Sequence, residues 1–145
     1  MLRKITPCLL FAGKAEEAAR YYVSIFKKSK IKSVNPYVTQ FMLEGQEFMA
    51  LNGPKSEFTW GVSFYVTCET QTEIDYYWKK LSSGGEEQPC GWVKDKFGLS
   101  WQIAPSIIPD LIADPDPKKV ERTMRAVMSM KKLNIAKLKK AHAGK

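Results

Sequence analysis

The sequence predicts an α+β protein: two βαβββ modules forming a curved mixed sheet with a concave cleft, followed by C-terminal helices. Two amphipathic helical stretches each follow a β-forming run and precede a further set of β-forming runs. With an offset of 55 residues, Leu9 and Phe11 fall on Phe64 and Val66, Ala19 on Ile74, Tyr21-Tyr22 on Tyr76-Tyr77, and Phe26 on Leu81. Both halves end in a proline, Pro54 and Pro105. Self-similarity at a fixed offset marks a duplicated unit. One copy leaves one sheet face without a helix, and two copies side by side curl into a half-barrel with a cleft. The modules are expected at about 1–54 and 61–105, inside a domain spanning 1–106. Residues 107–145 are expected to be a loop and a basic helical extension of that domain.

Each element has a local reason. Lys4 to Phe11 alternates loosely and stops at Gly13, as a strand does. Ala15, Ala18, Ala19, Tyr22, Val23 and Phe26 recur at helical spacing, with Glu16 and Glu17 in the first turn and Lys27 and Lys28 in the last. Ile31 to Pro36, Val38 to Leu43 and Phe48 to Asn52 read as strands, the last two joined by a Glu44-Gly45-Gln46 turn. Val62 to Val66 is rich in β-formers. Thr70-Gln71-Thr72-Glu73 is a capping box that opens a second helix with Ile74, Tyr77, Trp78 and Leu81 on its apolar stripe. Gly84-Gly85 ends it. Ile107 to Asp116 is loop-like. Lys118 to about Lys131 reads as a basic helix with Val120, Met124, Val127 and Met128 on one face, and Asn134 as the cap of a short last helix.

Composition excludes several functions. At 145 residues the chain is large enough for a core without staples. No run approaches the ~18 apolar residues of a membrane span. Met1 to Gly13 has no small-residue cleavage site, so it does not read as a signal peptide. Cys8, Cys68 and Cys90 are an odd number without zinc-type spacing, which suits reduced thiols and a cytoplasmic location. The only histidine is His142, so no Ser-His-Asp, Cys-His or histidine-metal arrangement forms in the body of the domain. The net charge is +8, from 23 Lys/Arg and 15 Asp/Glu; ten of those bases and one of those acids lie from Lys118 onward. The remainder, with 13 and 14, is nearly neutral, so the basic character belongs to the tail. The tail lacks the aromatic interleaving of nucleic-acid binders and the aromatic anchors of a membrane-surface helix. Neither partner is expected.

The stretch from Gly84 to Pro105 holds two of the four tryptophans and reads as a β-hairpin turning at Asp95-Lys96-Phe97-Gly98. Side chains alternate along a strand. Val93, Leu99, Trp101 and Ile103 therefore suit the helix-covered face, and Cys90, Trp92, Lys94, Ser100 and Gln102 the open one. Cys90 is the candidate nucleophile, with a packing role as the plainer reading. Trp92 can stack on a planar ligand, and Lys94 can meet an anion. Asp95 shapes the turn. Trp60 is placed to guard an entrance or a subunit contact.

Ile5-Thr-Pro-Cys-Leu-Leu-Phe, Gly13-Lys-Ala-Glu-Glu-Ala, Phe48-Met-Ala-Leu-Asn-Gly-Pro54 and Cys90-Gly-Trp-Val-Lys-Asp-Lys-Phe-Gly-Leu-Ser-Trp-Gln102 resemble the PhnB-like family. Met128 to Ala141 is similar to its usual C-terminal segment. That family, often labelled 3-demethylubiquinone-9 3-methyltransferase, belongs to the vicinal oxygen chelate superfamily of glyoxalase and bleomycin-resistance folds. The resemblance implies paired βαβββ modules over nearly the whole chain. Metal-dependent relatives hold one divalent ion with four His or Glu residues, one on each of four strands. Carried over, those places are Pro7, Ala50, Val62 and Gln102. Three of the four have no ligating side chain, and Gln102 is a lone neutral oxygen donor. The cleft implied has Pro7, Leu9, Val62 and Phe64 on the wall opposite the hairpin residues. The methyltransferase label implies S-adenosylmethionine, but the sequence has no glycine-rich loop between a first strand and helix.

The reading that results is a metal-independent small-molecule-binding protein, without a cofactor and homodimeric. The alternative is an enzyme acting on a small organic substrate in the same cleft through Cys90 and Gln102.

Overall fold

The computed structural model describes residues 1–145. The chain divides into two compact units, Met1–Glu57 and Phe58–Lys145. Each holds one four-stranded mixed sheet, and neither sheet closes on itself.

The first unit runs β1 (Cys8–Phe11), α1 (Ala15–Ile25), β2 (Ser29–Val34), β3 (Val38–Leu43) and β4 (Gln46–Asn52), with strand order β1-β4-β3-β2. β1 lies parallel to β4, and the other pairs are antiparallel. α1 begins where the Asn52 side chain, on β4, accepts from the Ala15 N–H at 2.9 Å. It ends at Ile25, because Phe26 is extended; Lys27 and Lys28 lie beyond its last turn rather than in it. Its buried stripe (Ala15, Ala18, Ala19, Tyr22 and Ile25) brings Tyr22 against Phe41, which stacks in turn on Phe48 at 5.4 Å.

The second unit repeats the pattern: β5 (Ser63–Cys68), α2 (Gln71–Ser82), β6 (Glu86–Glu87), β7 (Trp92–Lys94) and β8 (Ser100–Pro105), in the order β5-β8-β7-β6. A 3-10 turn at Pro89–Gly91 separates β6 from β7. The capping box forms, with Thr70 Oγ1 accepting from the Glu73 N–H and the Glu73 carboxylate accepting from the Thr70 N–H. Ile74, Tyr77, Trp78 and Leu81 are buried, as are Val93, Leu99, Trp101 and Ile103 on the sheet.

Three helices follow: α3 (Ile108–Ile112), α4 (Pro117–Ser129) and α5 (Ile135–Ala143). α3 forms inside the stretch expected to be loop, with Pro109 in its first turn, where a missing N–H costs nothing. Val127, Leu133 and Leu138 bury against Ala104, with Cys90, Ile108 and Met130 packed around them. On α4 the buried residues are Thr123 and Val127, whereas Met128, expected on the inner face, is 61% exposed. Two groups of bonds fix the segment between α4 and α5. Cys90 and Gly91 donate their N–H groups to Met130 and Lys131 carbonyls, at 2.8 and 2.9 Å. Gln71 donates to the Leu133 carbonyl and accepts from the Ile135 N–H. Arg122 binds the Ala141 and His142 carbonyls at the end of α5.

Candidate functional site

The faces of the two sheets opposite α1 and α2 differ in chemistry. In the first unit, register puts Cys8, Met49 and Gln40 in one row of that face and Leu10, Leu51 and Val38 in the next. These two rows are apolar and sulfur-rich, with one amide, and the row beyond them carries Glu47, which is held between Lys4 and Lys32. In the second unit the central row is Tyr65 on β5, Gln102 on β8 and Trp92 on β7. Here a phenol, a carboxamide and an indole sit side by side. The polar group of the first sheet's face, Glu47, is engaged by two lysines, whereas the central row of the second sheet makes no ion pair.

Gln102 donates from Nε2 to Ser63 Oγ at 3.0 Å. The bond fixes the amide, and its Oε1 has no partner in the chain. Tyr65 is half exposed; loss of solvent around its phenol raises its pKa above 10, so it stays a neutral hydroxyl. Trp92 is half-buried, and its indole N–H makes no bond within the chain. Trp60 meets Trp92 edge to face, with ring centroids 6.0 Å apart. Beside them lies an open pocket of about 350 Å³ lined by Trp60, Glu86, Gln88, Pro89, Cys90 and Trp92. Ala104, on the same face as Gln102, is covered by the C-terminal helices.

The turn beneath this face is held by Asp95, which is 2% exposed. Its Oδ1 accepts from the Phe97 and Leu99 N–H groups at 2.8 and 3.0 Å, and Oδ2 from the Trp101 indole at 2.9 Å. Gly98, at φ 89°, completes the turn.

The residues expected to line a cleft separate into three groups. Gln102 and Trp92 share the central row, and Lys94 stands exposed one rung away. Ser100 has the expected side but is buried at 4% exposure, so it offers nothing to a ligand. Leu9, Ala50 and Phe64 are on the other side. Leu9 and Ala50 are register partners buried in the core of the first unit, and Phe64 packs its ring on Trp101 at 5.5 Å. Neighbours in register share a face, so these three belong to the layer under the helices. Val62 precedes β5 and is 66% exposed. Pro7 precedes β1, and its carbonyl accepts from the Met49 N–H at 2.9 Å. Cys90 is not on a strand. It lies in the 3-10 turn at φ 66°, so the alternation that placed it beside Trp92 and Lys94 does not reach it. It packs on the C-terminal cluster and borders the Trp60–Trp92 pocket. Burial, then Glu73 and Glu69, pushes the Cys68 thiol up to about 12, which keeps it protonated and inert.

Sequence reasoning missed Tyr65, Glu86 and Gln88. Tyr65 had a signal in its pairing with Gln102, once the strand register is known.

The profile of the 3-demethylubiquinone-9 3-methyltransferase family matches residues 3–104. The chain belongs to that family. A PhnB protein of Bacillus cereus carrying the same label is 37% identical, over 72% of this chain and 100% of its own, with a TM-score of 0.62. More distant solved structures share the fold. The fosfomycin resistance protein FosX of Listeria monocytogenes is 14% identical over 71% of this chain and 91% of its own, with a TM-score of 0.54. A glyoxalase/bleomycin resistance protein of Albidiferax ferrireducens is 12% identical over 70% and 97%, with a TM-score of 0.51. No curated protein matches the chain.

The cofactors implied by the family label and the superfamily do not fit the residues present. Of the four metal-ligand places carried over, only Gln102 has a donor side chain, and Ala50 is buried under α1. No three His, Cys, Asp or Glu side chains group to hold an ion. The β1–α1 junction has one glycine, Gly13, and the β5–α2 junction is Glu69-Thr70. Neither is the glycine-rich turn that lets a backbone approach a nucleotide-type cofactor.

Proposed function

We propose that this family member is a metal-independent protein that binds a small organic molecule on the second sheet, against Tyr65, Gln102 and Trp92. The observation that carries this reading is the row itself. A flat indole, a fixed amide oxygen and a neutral hydroxyl stand side by side, and none is used up by the chain's own bonds. An apolar, aromatic surface with a few oriented polar groups is the usual profile of a ligand site. Trp92 supplies stacking area, the Gln102 Oε1 accepts a hydrogen bond, and the Tyr65 hydroxyl donates or accepts one. The ligand class that fits is a planar molecule carrying at least one N–H or O–H.

The wider reading is a cytoplasmic homodimer in which 1–106 is the paired-module domain and 107–145 its extension. The packing of α4 and α5 on Ala104 supports the extension, and no helix is long and apolar enough to cross a membrane.

A ligand screen by native mass spectrometry on the chelator-treated protein tests the function. Binding that survives chelation and is lost in Gln102→Ala supports it. Binding that needs an added divalent ion contradicts it.

The alternative is catalysis through Cys90, and one observation favours it. A non-glycine residue at φ 66° costs about 1 kcal/mol or more, and such strain gathers at functional positions. Cys90→Ala tests this: unchanged turnover of any substrate found by the screen would remove it.

A further inference from the structure

We infer that the pocket beside Trp92 receives an alkylated ammonium group. This rests on the small-molecule-binding reading and names the charge its ligand carries at one end. Trp60 and Trp92 meet at 81°, forming two walls of a corner. Indole faces carry negative quadrupole charge and attract a cation within about 6 Å of the ring centroid. Trp60 is 75% exposed, so its indole face is open to a ligand. The pocket lining holds one charged residue, Glu86, and no basic one. That is a local acidic site on a chain of net charge +8.

Glu86 is available. It makes no ion pair, whereas its neighbour Glu87 is occupied by the Trp78 indole N–H at 2.8 Å. Lys94 is the register partner of Glu86 across the β6–β7 pair, yet no ion pair joins them. Two perpendicular indoles, a free carboxylate and the Gln88 amide match a quaternary or methylated ammonium, which is large, weakly hydrated and unable to satisfy a tighter anionic site. A bare anion meets the repulsion of Glu86, and a neutral alkyl group gains nothing from it.

The geometry predicts opposite effects for the two neighbouring charges. Removing Glu86 weakens cation binding, and removing Lys94 strengthens it. The test titrates the full chain with choline chloride and with its neutral isostere 3,3-dimethylbutan-1-ol, at constant ionic strength, following indole resonances by NMR. Choline is expected to bind about five-fold tighter than the isostere. Glu86→Gln should remove that preference, Lys94→Ala should increase it, and Trp60→Ala should abolish binding; Trp60→Phe, which keeps an aromatic face, should retain part of it. Equal binding of choline and the isostere, or Glu86→Gln without effect, would overturn the inference. Failure here is separable from failure of the parent reading. If neutral planar ligands still bind and still depend on Gln102, only the ammonium inference falls. If choline binds as expected but no planar ligand responds to Gln102→Ala, the parent reading falls.

Discussion

Gln102 on β8 donates its amide to Ser63 Oγ on β5 at 3.0 Å, across the parallel pair at one edge of the second sheet. The bond settles which end of the amide is spent and which is offered. Nε2 is used, and Oε1 is left as an oriented acceptor. Gln102→Ala should therefore reduce affinity for a planar N–H or O–H ligand by about ten-fold, while costing about 1 kcal/mol of stability. Ser63→Ala should cost less affinity, because the acceptor remains but turns freely. Calorimetric titration and urea unfolding of the two variants check both statements. An equal effect on stability and none on binding would assign the pair a structural role alone.

Asp95 is the buried organiser of the β7–β8 turn. Its carboxylate accepts from two backbone N–H groups and from the Trp101 indole. Asp95→Ala removes the carboxylate acceptor of three N–H donors in a buried setting and should destabilise by about 3 kcal/mol or more. Asp95→Asn keeps the shape but replaces one acceptor oxygen with a donor, and should cost less. Urea unfolding, with near-ultraviolet circular dichroism as a reporter of Trp101, measures the difference.

Gly91 sits at φ 80°, where an added Cβ would lie 2.9 Å from the Ile103 carbonyl oxygen and 3.0 Å from Leu133 Cδ1. Gly91→Ala should destabilise by about 1–3 kcal/mol and push the 130–133 segment away. Hydrogen exchange reads this directly: the Cys90 and Gly91 amides, which bond to Met130 and Lys131, should exchange faster in the variant.

Glu47 lies between Lys32 and Lys4, and hydrogen bonds from the two, Lys32 first, lower its pKa from 4.5 to about 2. The folded state thus holds its carboxylate charged to lower pH than the unfolded chain does. Its contribution to stability is complete above about pH 4.5 and is lost as pH falls toward 2. Glu47→Gln should flatten the pH dependence of stability in that window and leave it unchanged near neutrality in slope. Urea midpoints between pH 2.5 and 6 test the sign.

The sequence was readable where polar and apolar residues alternate. Along Leu99-Ser100-Trp101-Gln102-Ile103 the period of two assigns Trp101 to the core and Gln102 to the open side, and burial agrees. Thr70 and Glu73 marked the start of α2 because capping chemistry is local. Parity was unreadable where alternation is absent. Leu9-Leu10-Phe11, Met49-Ala50-Leu51 and Phe64-Tyr65-Val66 are apolar throughout, so only the strand register shows that Leu9, Ala50 and Phe64 face the helices while Tyr65 faces the open side. Cys90 was misplaced for a different reason. Pro89, followed by two left-handed residues, ends the extended chain before β7 begins. The amide of Gln71 joins residues 62 and 64 positions away, a relation no local pattern encodes.

The second sheet is proposed to bind a small organic molecule without a metal. The most direct measurement is a fragment titration of the isotope-labelled, chelator-treated protein by heteronuclear NMR. Binders are expected whose shifts centre on the Gln102 side-chain amide, the Trp92 indole and the Tyr65 backbone. Shifts confined to the first unit, or binding that arises only when a divalent ion is restored, would contradict it.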